Sequence, residues 1–174
     1  MKRKIYLLLL IPLVALTSCN NDDNINKAPI DQLPPPTQSG EYTFGCLVNG
    51  EPMIPNNTNY ISAICQGGIF DISADVNKVN TGQVVNIIVP ESIIVNESYD
   101  LTNYPFYIAK YQVFGSETTN CYYDFEDTFD GWIKFSKIDR INQIVSGTFE
   151  YSTVTENCDT IRVTNGRFDM PYTN

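Results

Sequence analysis

Four carboxylates lie close together in the chain and could bind a cation. Asp124, Glu126, Asp127 and Asp130 fall within seven consecutive positions, and carboxylate oxygens are ligands that Ca²⁺ prefers. The stretch does not fit the helix-loop-helix calcium loop, because a count from Glu126 places Lys137, a cation, at the closing position. These four residues are therefore candidate metal ligands, and a solvated acidic loop is the alternative interpretation.

Aromatic side chains flank the same acidic stretch. Tyr122 and Tyr123 precede it and Trp132 follows it. Aromatic rings stack on sugars and anchor protein interfaces, so all three are candidate ligand contacts. Trp132 is the first candidate because it follows the loop directly, near the start of a predicted strand. The alternative is that these rings fill a β core or form cross-strand pairs.

The chain contains no histidine. This absence excludes Ser-His-Asp and Cys-His catalysis and histidine-bearing zinc sites. Paired carboxylates could in principle cleave glycosidic bonds, but 20 acidic residues produce such pairs by chance. We predict no catalytic residue, no cofactor and no enzymatic activity.

The N-terminus is organised like a secretory signal. Lys2, Arg3 and Lys4 form a basic region, and Ile5 to Leu16 form an apolar run. This run is shorter than the roughly 20 residues that a membrane-spanning helix needs. Residues 1–18 are therefore interpreted as a cleaved signal peptide, and Cys19 would be the first residue after cleavage.

The residues at the cleavage point resemble the lipobox of bacterial lipoproteins. Leu16-Thr17-Ser18-Cys19 consists of an apolar residue, two small residues and the cysteine that accepts the lipid. The resemblance implies lipidation of Cys19 with diacylglycerol and a fatty acyl chain such as palmitate. Several acyl chains make a stable anchor where one would be marginal. The lipid bilayer is thus the first expected partner.

The segment after Cys19 predicts the compartment and a tether. Asn20-Asn21-Asp22-Asp23-Asn24 is similar to the surface-export signal of Bacteroidota lipoproteins, which implies the outer membrane and the cell surface; a solvated tether is the alternative. The stretch then becomes rich in proline up to Gly40. Such a composition buries little apolar surface, so residues 19–40 are predicted to be a disordered tether and residues 41–174 one domain.

Four cysteines remain once Cys19 is assigned to lipid. An even number in an oxidising compartment predicts two disulfides. We favour Cys121–Cys158 and Cys46–Cys65, which keep each pair within one half of the chain. Buried free thiols are an alternative. A four-thiolate zinc site is disfavoured because no two of these cysteines have the CxxC spacing.

The pattern of residues 41–174 is that of an all-β domain. Short β-branched and aromatic runs alternate with Gly, Asn, Asp and Pro. Asn49-Gly50, Gly67-Gly68 and Asn165-Gly166 are predicted hairpin turns. Strands such as Gln143 to Val154 alternate apolar and polar residues, as expected for a sheet with one solvated face. About eight to ten strands predict an antiparallel β-sandwich, with a closed barrel as the alternative.

Blocks near both ends of the domain are similar to a family of uncharacterised Bacteroidota surface lipoproteins. They are Thr43 to Gly50, Ile144 to Tyr151, Cys158 to Ile161 and Thr164 to Asp169. The resemblance implies an all-β domain in the same compartment, and it implies no activity.

Charge narrows the range of partners. Loss of the leader removes 3 of the 11 basic residues, which leaves 8 against 20 acidic residues and a net charge near −12. Nucleic acid binding needs clustered cations, so nucleic acid is excluded as a partner. We expect a non-enzymatic binding or assembly domain with an unknown protein partner, or alternatively a glycan-binding accessory module at the cell surface.

Overall fold

A computed structural model describes residues 27–78, 81–115 and 121–174. The signal peptide, Cys19 and the first part of the tether lie outside these ranges, so lipidation of Cys19 and cleavage after residue 18 stay predictions.

The described chain forms two antiparallel sheets that pack face to face. The six-stranded sheet has the order β2-β1-β11-β10-β9-β6, and the five-stranded sheet has the order β3-β4-β5-β7-β8. The strands are β1 (Thr43–Val48), β2 (Glu51–Met53), β3 (Ile61–Gln66), β4 (Ile69–Lys78), β5 (Thr81–Pro90), β6 (Ser98–Asp100), β7 (Ile108–Phe114), β8 (Cys121–Tyr123), β9 (Thr128–Asp139), β10 (Ile144–Thr153) and β11 (Ile161–Pro171). The predicted β-sandwich is confirmed. The sheets do not close into a barrel. The described residues form 11 strands, slightly more than predicted, and β6 and β8, with three residues each, are too short to be recognised from alternation.

The core lies between the two sheets. Along most strands, side chains alternate in direction, and those that point inward form this core. Phe70 on β4 meets Phe135 on β9 with ring centroids 5.9 Å apart, which joins the two sheets. Phe135 also packs edge-on against Phe168 of β11 at 5.4 Å. Tilted and edge-on pairs are favoured by the aromatic quadrupole. The side chains of β9, β10 and β11 that do not point into the core lie on the outer face of the six-stranded sheet, and bulges shift the alternation locally.

Two of the three predicted hairpin turns are confirmed. Val48 pairs with Glu51 across Asn49-Gly50, and Gln66 pairs with Ile69 across Gly67-Gly68. Both turn residues have positive φ in each case, at 50° and 88° in the first turn and 65° and 84° in the second. Asparagine and glycine tolerate this conformation, which matches the twist of the flanking strands.

The third predicted turn, Asn165-Gly166, is wrong. Strand β11 continues through both residues, and its register against β10 shifts between Phe149 and Tyr151. Asn165 has φ of 54°, and the ring of Phe149 covers Gly166 so closely that a Cβ there would lie 2.6 Å from it. The dipeptide therefore forms a bulge within a long strand, because β11 stays paired with β1 and β10 on both sides of it and only Asn165 of its two residues has positive φ.

One of the two predicted disulfides is confirmed. Cys121 and Cys158 are bonded, which ties the edge strand β8 to the connection after β10. Cys46 and Cys65 are buried free thiols, so the predicted Cys46–Cys65 bond is wrong. The two thiols belong to different sheets and different neighbourhoods. The sulfur of Cys46 lies 3.9 Å from that of Met53, and burial raises the Cys46 pKa to about 12.

The predicted disorder of residues 19–40 does not hold for the described residues 27–40. Pro29–Gln32 forms a 3-10 helix, and Leu33 after it is buried. Residues 33–41, which we call the strap, then cross the outer face of the six-stranded sheet before β1 begins. The strap is ordered because sheet side chains hydrogen-bond its backbone and hydroxyls, which composition does not reveal. The folded unit therefore includes residues 27–40.

Candidate ligand-binding face

The outer face of the six-stranded sheet has two halves. In the covered half, Gly45, Ser146 and Asp169 lie beneath the strap. In the open half, the partly exposed Trp132 and Glu150 lie opposite each other on the neighbouring strands β9 and β10. Strands β10 and β11 contribute residues to both halves, so along these two strands the halves differ in whether the strap lies over them.

Asp169 holds the strap in the covered half. Its two carboxylate oxygens accept hydrogen bonds from strap donors and from the Ser146 hydroxyl at 2.7 Å. The strap donors are Thr37 Oγ1 at 2.7 Å, Ser39 N at 3.0 Å, Gly40 N at 2.8 Å and Glu41 N at 3.2 Å. We call Asp169 with these donors the clasp. A buried carboxylate is stable only when such bonds replace its hydration.

The clasp also sets the protonation of Asp169. The residue is fully buried, and burial alone would raise its pKa. The hydrogen bonds from Thr37, Ser146, Gly40 and Ser39 outweigh that effect, so the pKa of Asp169 lies below its ordinary value. The group is therefore ionised at neutral pH and accepts hydrogen bonds without donating any.

Trp132 is positioned by β9 at the centre of the open half. Ile133, its neighbour in sequence, points into the core, so alternation places Trp132 on the outer face. Its cross-strand partners are Asp100 on β6 and Glu150 on β10. Because β6 is a short edge strand, it leaves the indole ring partly exposed.

Two grooves meet at Trp132 and Glu150. The first has a volume of about 270 Å³, and its walls include Pro36 of the strap, Thr148, Asn165 and Arg167. The second has a volume of about 200 Å³, and its walls include Asp130, Ser152, Arg162 and Thr164. Each groove therefore combines one aromatic face with a carboxylate, a guanidinium and neutral polar groups.

The polar groups of the first groove are fixed by neighbouring backbone. The backbone N–H of Asn165 donates to Glu150 Oε1 at 3.0 Å. Arg167 Nη1 donates to the Pro34 carbonyl at 3.2 Å, and Arg167 Nε contacts the Asn165 carbonyl at 3.4 Å. Preorganised donors and acceptors beside an apolar surface orient a ligand at little entropic cost. The groove can thus bind a ligand with one apolar face and several hydrogen-bonding groups.

The three aromatic residues predicted as ligand contacts do not form one platform. Tyr123 is only 2% exposed, and its hydroxyl donates to the Asp159 carbonyl at 2.7 Å. Tyr122 is 49% exposed but lies on β8 of the five-stranded sheet. Trp132 lies on the other sheet. The prediction is therefore wrong for Tyr123, which is part of the core, and the structure separates Tyr122 from Trp132.

The predicted calcium site is not assembled either. Asp124 and Asp127 cap the 3-10 helix Phe125–Asp127 reciprocally, and Asp124 also pairs with Lys110 at 3.1 Å. In the ranges 27–78, 81–115 and 121–174, no three His, Cys, Asp or Glu side chains are placed to hold a metal ion. Asp124, Glu126, Asp127 and Asp130 therefore do not converge, because local capping and an ion pair engage two of them.

Sequence patterns did not mark Glu150, Arg167 or Pro36 as site residues, and they marked Asn165 only as part of a turn. Alternation along β10 marks Glu150 as outward-facing, so its face could have been inferred. Its position opposite Trp132 depends on the register of β9 and β10. The role of Pro36 could not have been inferred, because it depends on the strap folding back over the sheet.

Comparison with known proteins assigns no relatives. Within the described ranges, no helix is long and apolar enough to cross a membrane. No family model matches the chain, and neither a curated protein nor a solved structure matches it.

Proposed function

We propose that this protein is a lipid-anchored extracytoplasmic lipoprotein whose β-sandwich is a non-enzymatic binding domain. Acylated Cys19 attaches it to the outer membrane, and the domain faces the cell surface. Its binding surface is the open half of the six-stranded sheet. The Leu-Thr-Ser-Cys motif supports the anchor, and the resemblance to Bacteroidota surface lipoproteins supports the location.

The observation that carries the binding role is the setting of Trp132. A partly exposed indole lies between two grooves, whereas an aromatic ring of this size on a sheet is usually buried or paired. Tryptophan and arginine dominate binding energy at interfaces when they lie in preformed depressions. Trp132, Arg167 and Arg162 have this arrangement.

A glycan is the second candidate occupant, and the charge balance of the grooves favours it over a strongly charged ligand. Each groove contains a guanidinium and at least one carboxylate around the same indole ring. A neutral polyhydroxyl ligand can use both as hydrogen-bond partners and place an apolar face on the ring. This would make the protein a glycan-binding accessory module.

The binding role is tested by comparing Trp132→Ala with Tyr122→Ala. Both substitutions remove a solvent-accessible aromatic ring, but Tyr122 lies on the other sheet. The purified chains are applied to a glycan array and used to capture partners from cell-surface extracts. We expect Trp132→Ala to lose binding and Tyr122→Ala to keep it. If Trp132→Ala keeps wild-type binding, or if only Tyr122→Ala loses it, Trp132 is not part of the binding site.

The anchor and its location need a separate experiment. Cys19→Ser should abolish incorporation of labelled palmitate and release the protein from the membrane fraction. Proteinase added to intact cells should degrade the wild-type domain, with a periplasmic lipoprotein as the protected control. A domain that is cleaved only after lysis would instead face the periplasm.

A further inference from the structure

One wall of the Trp132 groove does not belong to the sheet. Pro36 is part of the strap, yet it lines the 270 Å³ groove with Trp132, Thr148 and Glu150. The same strap connects the sandwich to the chain that leads back towards Cys19. The groove is therefore complete only while the strap is docked.

The strap is held mainly by polar contacts. Asp169 accepts four hydrogen bonds from it, Lys137 Nζ donates to the Gln38 carbonyl at 2.9 Å, and Leu33 is its one buried apolar side chain among the residues described. Segments with few buried apolar contacts open at a lower free-energy cost than the whole domain. The strap can thus be released while the sandwich stays folded.

Arg167 connects the strap to the groove a second time. Its Nη1 donates to the Pro34 carbonyl at 3.2 Å, and its side chain lines the groove together with Pro36. Release of the strap removes Pro36 from the wall and also frees the guanidinium from Pro34. Both changes alter the part of the site that faces a ligand.

We propose that Asp169 is a positioning residue for the Trp132 groove, because docking of the strap on Asp169 builds the wall. The consequence for ligand affinity rests on the proposed binding function. A ligand that touches Pro36 favours the docked strap, and the docked strap favours the ligand to the same extent. If the docked fraction falls to a tenth, the apparent dissociation constant rises about tenfold.

The wall can be tested without any ligand, because Trp132 is the single tryptophan of the chain. Its fluorescence and its quenching by acrylamide report the exposure of the indole ring. Amide exchange at Ser39, Gly40 and Glu41, whose N–H groups bind Asp169, reports docking of the strap. Asp169→Asn is compared with Asp71→Asn, which makes the same charge change on the five-stranded sheet.

We expect Asp169→Asn to speed exchange of the three amides, red-shift the Trp132 emission and increase its quenching. Asp71→Asn should change none of these quantities. Fast exchange with unchanged quenching would show that the strap is not a wall of the groove. Protected amides in Asp169→Asn would show that Asp169 does not position the strap. Either result overturns the proposal, and neither bears on whether the open half binds a ligand.

A second variant covers the case in which Asp169→Asn does not fold. The double substitution Thr37→Val and Ser39→Pro removes two clasp donors from the strap and leaves the sandwich residues intact. In this variant, acrylamide should quench Trp132 more strongly, and the amide of Gly40 should exchange faster than in the wild type. Fast exchange of Gly40 with unchanged quenching of Trp132 overturns the proposal, and circular dichroism confirms that the sandwich remains folded.

Discussion

The covered and open halves of the six-stranded sheet use acidic residues in opposite ways. In the covered half, Asp169 is buried and engaged by five hydrogen bonds. In the open half, the backbone N–H of Asn165 donates to Glu150, and the Glu150 side chain borders both grooves. Asp169 therefore serves to hold the strap, whereas Glu150 is partly exposed beside the grooves in which we propose that a ligand binds.

The largest expected difference between the halves is the effect of removing a carboxylate. Asp169→Ala removes the acceptor of four strap donors and of the buried Ser146 hydroxyl, and it should destabilise the domain by about 3 kcal/mol. Asp130→Ala in the open half removes an exposed side chain and should change stability by less than about 0.5 kcal/mol. Urea unfolding of both variants measures the difference. Equal effects would mean that the clasp contributes nothing special.

A smaller loss of stability is expected when a methyl group is added under the strap. A Cβ at Gly45 would lie 2.6 Å from Pro34 Cδ, so Gly45→Ala should push the strap away from the sheet at a cost of about 1–3 kcal/mol. Thr148→Ala, which removes atoms from the open half, is the control. Amide exchange at Ser39 and Gly40 should rise in Gly45→Ala only. Unchanged exchange would show that the strap accommodates the methyl group.

Acid should weaken the covered half specifically. The pKa of Asp169 is lowered by its hydrogen bonds despite the opposing effect of burial, so its contribution is fully present above the ordinary aspartate pKa of about 4. It is lost as the pH falls through the lower, folded-state pKa. The difference in free energy of unfolding between wild type and Asp169→Asn should therefore decrease below about pH 4. A difference that stays constant down to the acid transition would contradict this linkage.

Removal of the indole ring from the open half should also have a small effect on stability. Trp132→Ala removes a partly exposed ring and should change the free energy of unfolding by less than about 1 kcal/mol, although we propose that it abolishes binding. Thermal unfolding together with the binding assay measures both quantities. A large loss of stability would indicate that the indole serves packing and would weaken the proposed contrast between the halves.

Local signals in the sequence predicted local structure well. Asn49-Gly50 and Gly67-Gly68 are hairpin turns because both residues of each pair adopt positive φ and the strands on either side pair with each other. Asn165-Gly166 contains the same signal but lies in the middle of β11, which stays paired with β1 and β10 on both sides of it. Whether such a dipeptide turns or bulges depends on a neighbouring strand, which short-range patterns do not include.

The clasp and the groove depended on contacts between distant parts of the chain. Thr37 and Asp169 are far apart in sequence, so nothing local identified residues 33–41 as ordered. Cys46 and Cys65 are close in sequence, but they face the core from different sheets, so proximity along the chain misled the pairing. The sequence predicted Trp132 as a ligand contact, which stays a prediction, and the structure places it on the outer face, partly exposed. Its neighbours Glu150 and Arg167 could be found only from the strand register.

The pairing of β1 with β11 has a consequence for biosynthesis. Thr43 lies opposite Asp169 and Val48 opposite Val163, so one of the first strands made is completed by the last. A chain that leaves a ribosome or a secretion channel N-terminus first exposes one edge of β1 until Ile161–Pro171 has emerged. Unpaired edges of this kind promote aggregation. Nascent chains that stop before β11 therefore cannot form the continuous six-stranded sheet and depend on chaperones or proteases for their removal.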